Sequence, residues 1–451
     1  MRNEKWKMPP PARLMYLVYS LLLTLGFLVL LPRFLFDAFR HGKYVAGFRE
    51  RLGKLSEIDS QGRPVVWIHC VSVGESQAAR PLVRGIRQRF PDHVLVISTT
   101  TLTGQKLARE LFKSEAAKVF YFPFDWGWTV RRAVNAINPS AVLIMETELW
   151  PGFLRECHRQ QIPVAIVNGR ISHQSLRRYR WISGFVSRVL ECLSVGIMQT
   201  EVDAERIRSL GLHPSKVFVS GNLKFDAGTM PSSNTLAGEF QKRFNIANEA
   251  PLILAASTHA PEERVILDAF QCLRTGSTQK IRLLLAPRHP ERFADVASLL
   301  DSSGLSWTRR SNMSSPIDQT CDAILLDTIG ELPAIYSLAA VVFVGGSIAN
   351  RGGHNILEPA AVGATIVTGA HTHNFDGIVT VFAKNQAIIQ LPVLPGGQAA
   401  SALGNVFREL LTDKQRRREL GQRAKHLVEQ TQGATERTLD LLDSLLTSTL
   451  H

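Results

Sequence analysis

Cysteine is scarce in this chain: five in 451 residues, none in a CxxC pair, and an odd count that cannot close into a complete disulfide framework. Cys70, Cys157, Cys192, Cys272 and Cys321 are scattered, which argues for a reducing compartment, against a zinc site, and for small buried hydrophobes. No strand-like run is followed by GxGxxG, so a dinucleotide-dependent oxidoreductase is disfavoured. No DxD pair stands at a strand end, no repeat of solenoid period occurs, and no tract is of low complexity. Acidic residues are outnumbered, 39 against 52 lysines and arginines, and the net charge of +13 implies an anionic partner. Composition alone leaves nucleic acid, phosphorylated lipid and a membrane surface open.

What is present begins with MYLVYSLLLTLGFLVLL, residues 15–31, a 17-residue uncharged stretch that would span about 26 Å as a helix. LPRFLFDAFRHGK follows instead of a small-residue cleavage site, so an uncleaved anchor is expected rather than a signal peptide. A buried core helix is the weaker reading, because no polar face interrupts the run. Arg2, Lys5, Lys7 and Arg13 precede it, and Arg33, Arg40, Lys43, Arg49 and Arg51 follow. Charge on both sides leaves orientation open. The cysteines and the stronger downstream charge favour a cytoplasmic body.

Beyond the anchor, short apolar runs alternate with helical patterns. Strands are expected at 65–70, 94–99, 118–124, 141–145, 163–168, 194–198 and 216–220, forming one doubly wound α/β domain. DAGTMPSSNTLAGEF begins a polar linker, and a second series follows at 252–257, 281–287, 323–328, 341–346, 365–369 and 387–391. The expected organisation is an anchor over 1–36, a first domain over 37–225, a linker over 226–250 and a second domain over 251–451. The second domain ends in one long charged helix from Asp413.

Ligands of open parallel sheets bind beyond the carboxyl ends of the strands, so the strand-to-helix loops carry the candidates. WIHCVSVGES puts Glu75 after the first strand, with Gly74 read as permitting a tight turn and Pro81 as standing near the start of the next helix. Alone, such a carboxylate is a helix-dipole cap contributing about 0.3–1 kcal/mol. Its company gives it weight. TTTLTGQK offers Thr101, Thr103 and Gly104 for a sugar or phosphate, although such residues also cap helices. METELWP sets Glu146 and Glu148 at the end of an apolar strand, where a carboxylate is costly unless used or paired. NGRISHQSLRRYR supplies Arg170, Arg177, Arg178 and Arg180 with Tyr179 and Trp181 interleaved, fitting a phosphorylated lipid or a nucleic acid, or else only a solvated helix face. GNLKFD brings Lys224.

In the second series, Arg288 and His289 can hold a phosphate, and Gly330, Glu331 and Leu332 precede Pro333 in a stretch whose backbone could read a nucleobase edge, although a plain helix start explains it equally well. VGGSIANRGGHNILEPAAVG places Asn355 and Glu358 three apart, read as one face of a helix that grips a ribose through its hydroxyls. His371 and His373 are read as polar surface rather than a metal site.

Taken in order, WIHCVSVGE, TTTLTG, METELWP, NGRIS, GNLKFD, APRH, GELPAIY and GGHNILEP resemble the Kdo transferases of Gram-negative lipopolysaccharide synthesis. Those enzymes move 3-deoxy-D-manno-octulosonic acid (Kdo) from its CMP conjugate onto the lipid A precursor. The resemblance runs from about Leu14 to the last helix. It implies a GT-B fold of two Rossmann-like α/β domains facing a central cleft, an inverting transfer without metal or other cofactor, and attachment to the inner membrane on its cytoplasmic side. The implied partners are CMP-Kdo, the phosphorylated lipid A precursor and the membrane, with no nucleic acid. Glu75 corresponds to the family's general base, and Glu146 and Lys224 to positions taken to stabilise the transition state. Arg288, His289, Gly330, Glu331, Leu332, Asn355, Ile356, Leu357 and Glu358 fall on CMP-binding stretches. Gly74, Ser76, Thr101, Thr103, Gly104, Glu148 and Arg170 complete an expected acceptor set. The rival readings are another nucleotide-sugar transferase or epimerase of GT-B type, and a non-catalytic, membrane-anchored nucleotide-binding protein.

Overall fold

A computed structural model describes residues 10–41, 47–227, 234–246, 250–275, 280–395 and 397–447. Of the positions named above, Arg2, Lys5, Lys7 and Lys43, and 228–233 and 247–249 of the expected linker, lie outside these. The chain forms two compact units, one of Met1–Ala227 with Gln432–His451, the other of Gly228–Thr431.

The first unit holds a seven-stranded parallel sheet of β1 (Val65–His69), β2 (Val94–Thr99), β3 (Lys118–Tyr121), β4 (Ala141–Met145), β5 (Val164–Gly169), β6 (Val195–Met198) and β7 (Val217–Val219). Its order is β3-β2-β1-β4-β5-β6-β7, so the winding reverses between β1 and β4, which pair with Trp67 opposite Val142. Alternate residues of each strand feed two apolar layers. Val65 and Trp67 join Phe120, Phe153 and Val134 on one side, while Val66 and Ile68 join Leu82, Ile86 and Leu143 on the other. Burial on both sides is why these strands read as unbroken apolar runs. Burying each large side chain contributes roughly 1.5–3 kcal/mol.

The second unit repeats the architecture with β8 (Leu252–Thr258), β9 (Arg282–Pro287), β10 (Trp307–Arg309), β11 (Ala323–Leu325), β12 (Val341–Val344), β13 (Ile366–Thr368) and β14 (Ile389–Gln390). The order is β10-β11-β9-β8-β12-β13-β14, reversing between β8 and β12. β10 is absent from the strands expected from sequence: a three-residue edge strand ending in Arg309 has no apolar run to announce it.

Four further expectations change. The C-terminal stretch is two helices, Lys414–Thr431 and Ala434–Thr447, broken where Gly433 takes a positive φ of 81°. The last of them packs on the first unit, not the second. Leu439, Leu442 and Leu446 are buried beside Leu82 and Ile86, and Gly85 leaves the room: a Cβ there would stand 2.6 Å from Leu439. The Asp226 carboxylate accepts from the Gly433 and Thr435 N–H groups that open this helix, and Arg437 donates to the Ser220 carbonyl. The expected linker is partly helical, since Asn234–Arg243 forms a helix whose Phe240 is buried. Of the cysteines, all free, four are buried and Cys272 is exposed on its helix.

The apolar N-terminal segment is a helix from Pro10 to His41 that runs through Pro32. Its Leu14–Pro32 portion is long and apolar enough to cross a membrane. One side of it docks on the first unit. Tyr16 and Tyr19 pack on Phe185, Phe27 packs on Phe124 and Trp126, and the Tyr19 hydroxyl donates to Asp125 at 2.8 Å. Tyr16, Tyr19, Leu23 and Phe27 thus form the inward stripe, whose tyrosines the run of apolar residues hid in the sequence.

Candidate active site

In the first unit, chain reversal places the carboxyl ends of β1 and β4 side by side, where the loops diverge and leave room for a ligand. The β1 loop ends at Ser72, which caps the Val73–Arg89 helix. Glu75 folds back over it: one carboxylate oxygen accepts from the Val71 N–H at 2.7 Å and the other from the Ser72 hydroxyl at 2.9 Å. This is a variant of the capping box, with the reach extended to the residue before the cap. Glu75 is buried, and burial, reinforced by the charge of Glu146, pushes its carboxyl from the usual 4.5 up to about 8; the two hydrogen bonds oppose the rise without cancelling it. A cap alone would sit low in the carboxylate range. This one is poised near neutrality, in a group of carboxylates.

Glu146 follows β4 with φ at 56°, in the left-handed region that a side chain enters at a cost of about 1 kcal/mol or more. The conformation turns its carboxylate toward Lys224, whose Nζ stands 3.0 Å away. Lys224 itself lies in the short Leu223–Ala227 helix after β7, which is fixed by Asn168: the buried side-chain carbonyl of Asn168 accepts from the Leu223 N–H at 3.0 Å. Burial, then Glu146, also raises the carboxyl of Glu148. Lys224 thus pairs with Glu146, whose charge in turn acts on Glu75.

The acceptor set divides. Thr101 caps the Leu102–Leu111 helix through Gly104 N–H at 3.0 Å, and its hydroxyl also reaches the Val71 carbonyl. Gly104 is needed for that approach, since a Cβ would come within 2.7 Å of Thr101 Oγ1 and 3.4 Å of the Val71 carbonyl. These two residues thus support the Glu75 loop. Ser76 is buried and donates to the Ser72 carbonyl. Thr103 and Arg170 are exposed, the latter anchored by its N–H on the Thr147 hydroxyl. Gly74 does not make a tight turn: it lies in the first helical turn with an ordinary φ, and its missing side chain leaves the space beside Ser72 open. Pro81 is interior to the helix, the ninth residue of Val73–Arg89, where it removes one donor to the Gln77 carbonyl.

Sequence reasoning missed the layer beneath. His69 is buried at the end of β1, stacked 4.0 Å over Phe122, with Nδ1 2.9 Å from the Ser98 hydroxyl; burial lowers its pKa to about 3. Asp125 caps the Pro151–Arg159 helix by accepting from the Gly152 and Phe153 N–H groups. Beside it lies a cavity of about 190 Å³, lined by Leu23 and Phe27 of the N-terminal helix and by Phe122, Phe124, Trp126 and Trp150. The aromatics of FPFDW, the distant Trp150 and the wall supplied from about 100 residues upstream could not be joined without the fold.

In the second unit the reversal between β8 and β12 assembles a different chemistry. Glu262, fully buried, accepts from the N–H groups of His259, Gly346, Ser347, Ile348 and Ala349. Such a backbone nest is a ready anion site, and here an internal carboxylate fills it. The sequence carried a signal in the paired Glu262 and Glu263 after β8 and the glycines after β12. Next to the nest, His259 and His354 are joined Nε2 to Nε2 at 2.8 Å, with rings 8° from parallel. Burial, then the nearby His289, Arg351, Arg288 and Arg292, lowers His259 to about 4; burial and then Arg288 lower His354 to about 3. Both rings are thus neutral in a cationic surrounding. Arg288 and His289 are exposed after β9, free to meet an anion.

Asn355 and Glu358 do touch, Nδ2 to Oε1 at 3.1 Å, but they do not share a helix face. The helix begins only at Leu357, whose N–H is accepted by the Asn355 side-chain carbonyl. Burial raises the carboxyl of Glu358, against hydrogen bonds from Asn355 and Tyr336. Ile356 and Leu357 are buried, leaving only their backbone to a ligand. Glu331 is committed to Arg310, with two contacts of 2.9 Å, and to the Thr328 hydroxyl. Gly330 has φ at 88° and open space beside it.

A family model described as 3-Deoxy-D-manno-octulosonic-acid transferase (kdotransferase) matches residues 46–227. The chain is 33% identical over 404 residues to the 3-deoxy-D-manno-octulosonic acid transferase of Haemophilus influenzae, covering 90% of this chain and 92% of that one. It is 34% identical over 388 residues to the enzyme of the same description from Bordetella pertussis, covering 84% and 87%. Among solved structures, the UDP-GlcNAc 2-epimerase of Neisseria meningitidis bound to UDP-GlcNAc aligns with a TM-score of 0.55 at 12% identity, covering 85% of this chain and 100% of that one. The likeness is one of fold alone, and the two parallel seven-stranded sheets are GT-B-like.

Proposed function

Because the chain belongs to the 3-deoxy-D-manno-octulosonic acid transferases, a family of glycosyltransferases, we propose that it moves Kdo from CMP-Kdo to the glucosamine disaccharide of the lipid A precursor, with inversion and without a metal. The observation that carries the chemical assignment is Glu75, a buried carboxyl raised to about 8 beside Glu146, at the β1 and β4 strand ends. An acceptor hydroxyl attacks the anomeric carbon of Kdo, the bond from that carbon to the CMP phosphate oxygen breaks, and CMP leaves with the bonding pair. Ionised Glu75 takes the hydroxyl proton. Positive charge develops on the sugar ring in such a transfer, and Glu146, held by Lys224, is assigned to stabilise it.

The nucleotide end is assigned to the second unit. Arg288 and His289 would meet the phosphate, the Asn355–Glu358 pair the ribose hydroxyls, and the backbone at Gly330–Leu332 the base. Thr103, Glu148 and Arg170 remain available for the acceptor sugar and its phosphate. A lipid acceptor is supported by the aromatic cavity against the N-terminal helix. That helix and the free cysteines support a body held at the cytoplasmic side of the inner membrane. Incubation with CMP-Kdo and purified lipid A precursor should yield a product heavier by one or more Kdo residues in mass spectrometry. Consumption of a UDP-sugar in place of CMP-Kdo would favour the rival transferase or epimerase, and binding of CMP-Kdo without turnover would favour the non-catalytic reading.

A further inference from the structure

The N-terminal helix is docked over its Tyr16–Phe27 span, and this bears on how it meets lipid. Its contacts with the first unit run from Tyr16, 5% exposed, to Phe27, a rise of about 16 Å at 1.5 Å per residue. That is more than half of a hydrocarbon core about 30 Å thick. Were this helix to stand across a bilayer, the groups fastened to it would be drawn in as well. They include Arg155, whose guanidinium lies 4.8 Å over the Tyr16 ring, Asp125 on the Tyr19 hydroxyl, and Trp126, which donates to Thr24 at 3.1 Å. Charged groups at such depth are expensive.

The outward side has the opposite character. Leu17, Leu21, Leu22, Leu25 and Val29, spaced to share one stripe, are 50–77% exposed. At the Tyr16 end, Phe185 leads directly to Ile182 and to Trp181, which is 91% exposed and follows Arg177, Arg178 and Arg180. At the Phe27 end, Trp126 stacks on the exposed Trp128. An apolar span whose two ends, at Tyr16 and Phe27, are each flanked by an exposed tryptophan on the body itself, with arginines beside one, has the composition of a surface seated at the headgroup boundary.

We propose that this helix lies in the plane of a single leaflet, its leucine stripe in the acyl region and Trp181, Trp128 and the adjacent arginines at an anionic headgroup layer, rather than crossing the bilayer. The first unit is then held flat against the lipid by a line of contact, not tethered at a point.

The test uses the full chain with Cys272→Ser to remove the exposed thiol, reconstituted into phosphatidylcholine vesicles containing phosphatidylglycerol. Spin labels are placed at Leu17→Cys and Val29→Cys, both outward-facing, and depth is read from collisions with oxygen and a nickel chelate. The two positions are separated by a rise of about 18 Å along the helix. In-plane seating predicts equal depths within about 5 Å, both shallow. A depth difference approaching 18 Å, or labels that report water, overturns the proposal. Independently, Arg177→Gln with Arg178→Gln should weaken vesicle binding by roughly fivefold per residue in low salt. Unchanged binding would remove that end of the surface from the membrane and overturn the in-plane seating.

Discussion

Lys224 Nζ stands 3.0 Å from Glu146 Oε1 and ties the short helix after β7 to the loop after β4, across two intervening strands. The pair matters because Glu146 is also the charge that, after burial, does most to raise the carboxyl of Glu75. One cation thus governs two carboxylates. In Lys224→Met the charge of Glu146 is unscreened, so the Glu75 carboxyl should rise above about 8 and the acid limb of the rate profile should move to higher pH. In Glu146→Gln the limb should move below 8. Activity should fall by about 10²–10³-fold in either variant, from loss of electrostatic stabilisation. The pH dependence of kcat/KM distinguishes this coupling from a simple loss of fold, and limbs unmoved in both variants would refute it.

Glu75 acts as base only when ionised. With its carboxyl at about 8, kcat/KM should climb as pH rises and level off above that value. Glu75→Gln should abolish transfer while CMP-Kdo still binds. It should also change stability with a defined sign. A carboxyl raised in the folded state contributes fully below its unfolded value near 4.5 and loses that contribution as pH rises through about 8. The glutamine variant has nothing to ionise, so its Tm should fall less between pH 6 and pH 9 than that of the parent. Parallel Tm curves would mean that Glu75 is not raised.

The strands were legible because parallel strands covered on both sides must be apolar throughout, and VVWIH, AVLIM and RLLLAP declare themselves. The strand-end glutamates were legible for the converse reason: a carboxylate abutting such a run stands out. What stayed hidden depended on partners distant in sequence. Nothing within ATERTLDLLDSLL says that Leu439 will meet Gly85 rather than a strand of its own half. Glu262 went unremarked because the four N–H groups that Gly346–Ala349 turn toward it lie more than eighty residues downstream. The tyrosines of the N-terminal run looked apolar because their hydroxyl partner, Asp125, lies more than a hundred residues away.

The last helix offers a test of stability free of any catalytic assumption. Leu442 is fully buried in the first unit, so Leu442→Ala should cost about 2–5 kcal/mol in denaturant unfolding. Asp440, exposed on the same helix and paired with Arg89, should matter far less: Asp440→Asn should cost no more than about 1 kcal/mol. Equal small losses would show that the helix is not docked.

The cavity beside the N-terminal helix is narrow enough to fill with one side chain. Leu23→Trp projects an indole into its roughly 190 Å³. If an acyl chain of the acceptor enters there, KM for the intact lipid acceptor should rise severalfold while that for a deacylated analogue holds steady. An equal change with both acceptors would assign the cavity a packing role only.

His259 and His354 are held neutral first by burial; His289, Arg351, Arg288 and Arg292 then act on His259, and Arg288 leads after burial at His354. A phosphate bound at Arg288 offsets the charge of that arginine and raises the affinity of the ring pair for a proton. Binding of CMP should therefore take up a fraction of a proton near pH 6, and it should tighten as pH falls until the nucleotide phosphate itself protonates. Calorimetry in two buffers of different ionisation enthalpy reads the proton directly. His354→Gln should abolish the uptake specific to the pair, leaving only that of the phosphate, while Arg288→Gln should weaken CMP binding by about tenfold or more, the loss expected for one charge-assisted contact of 1.5–3 kcal/mol. Uptake unchanged by His354→Gln would place the phosphate away from the two histidines and require a different set of residues for the donor.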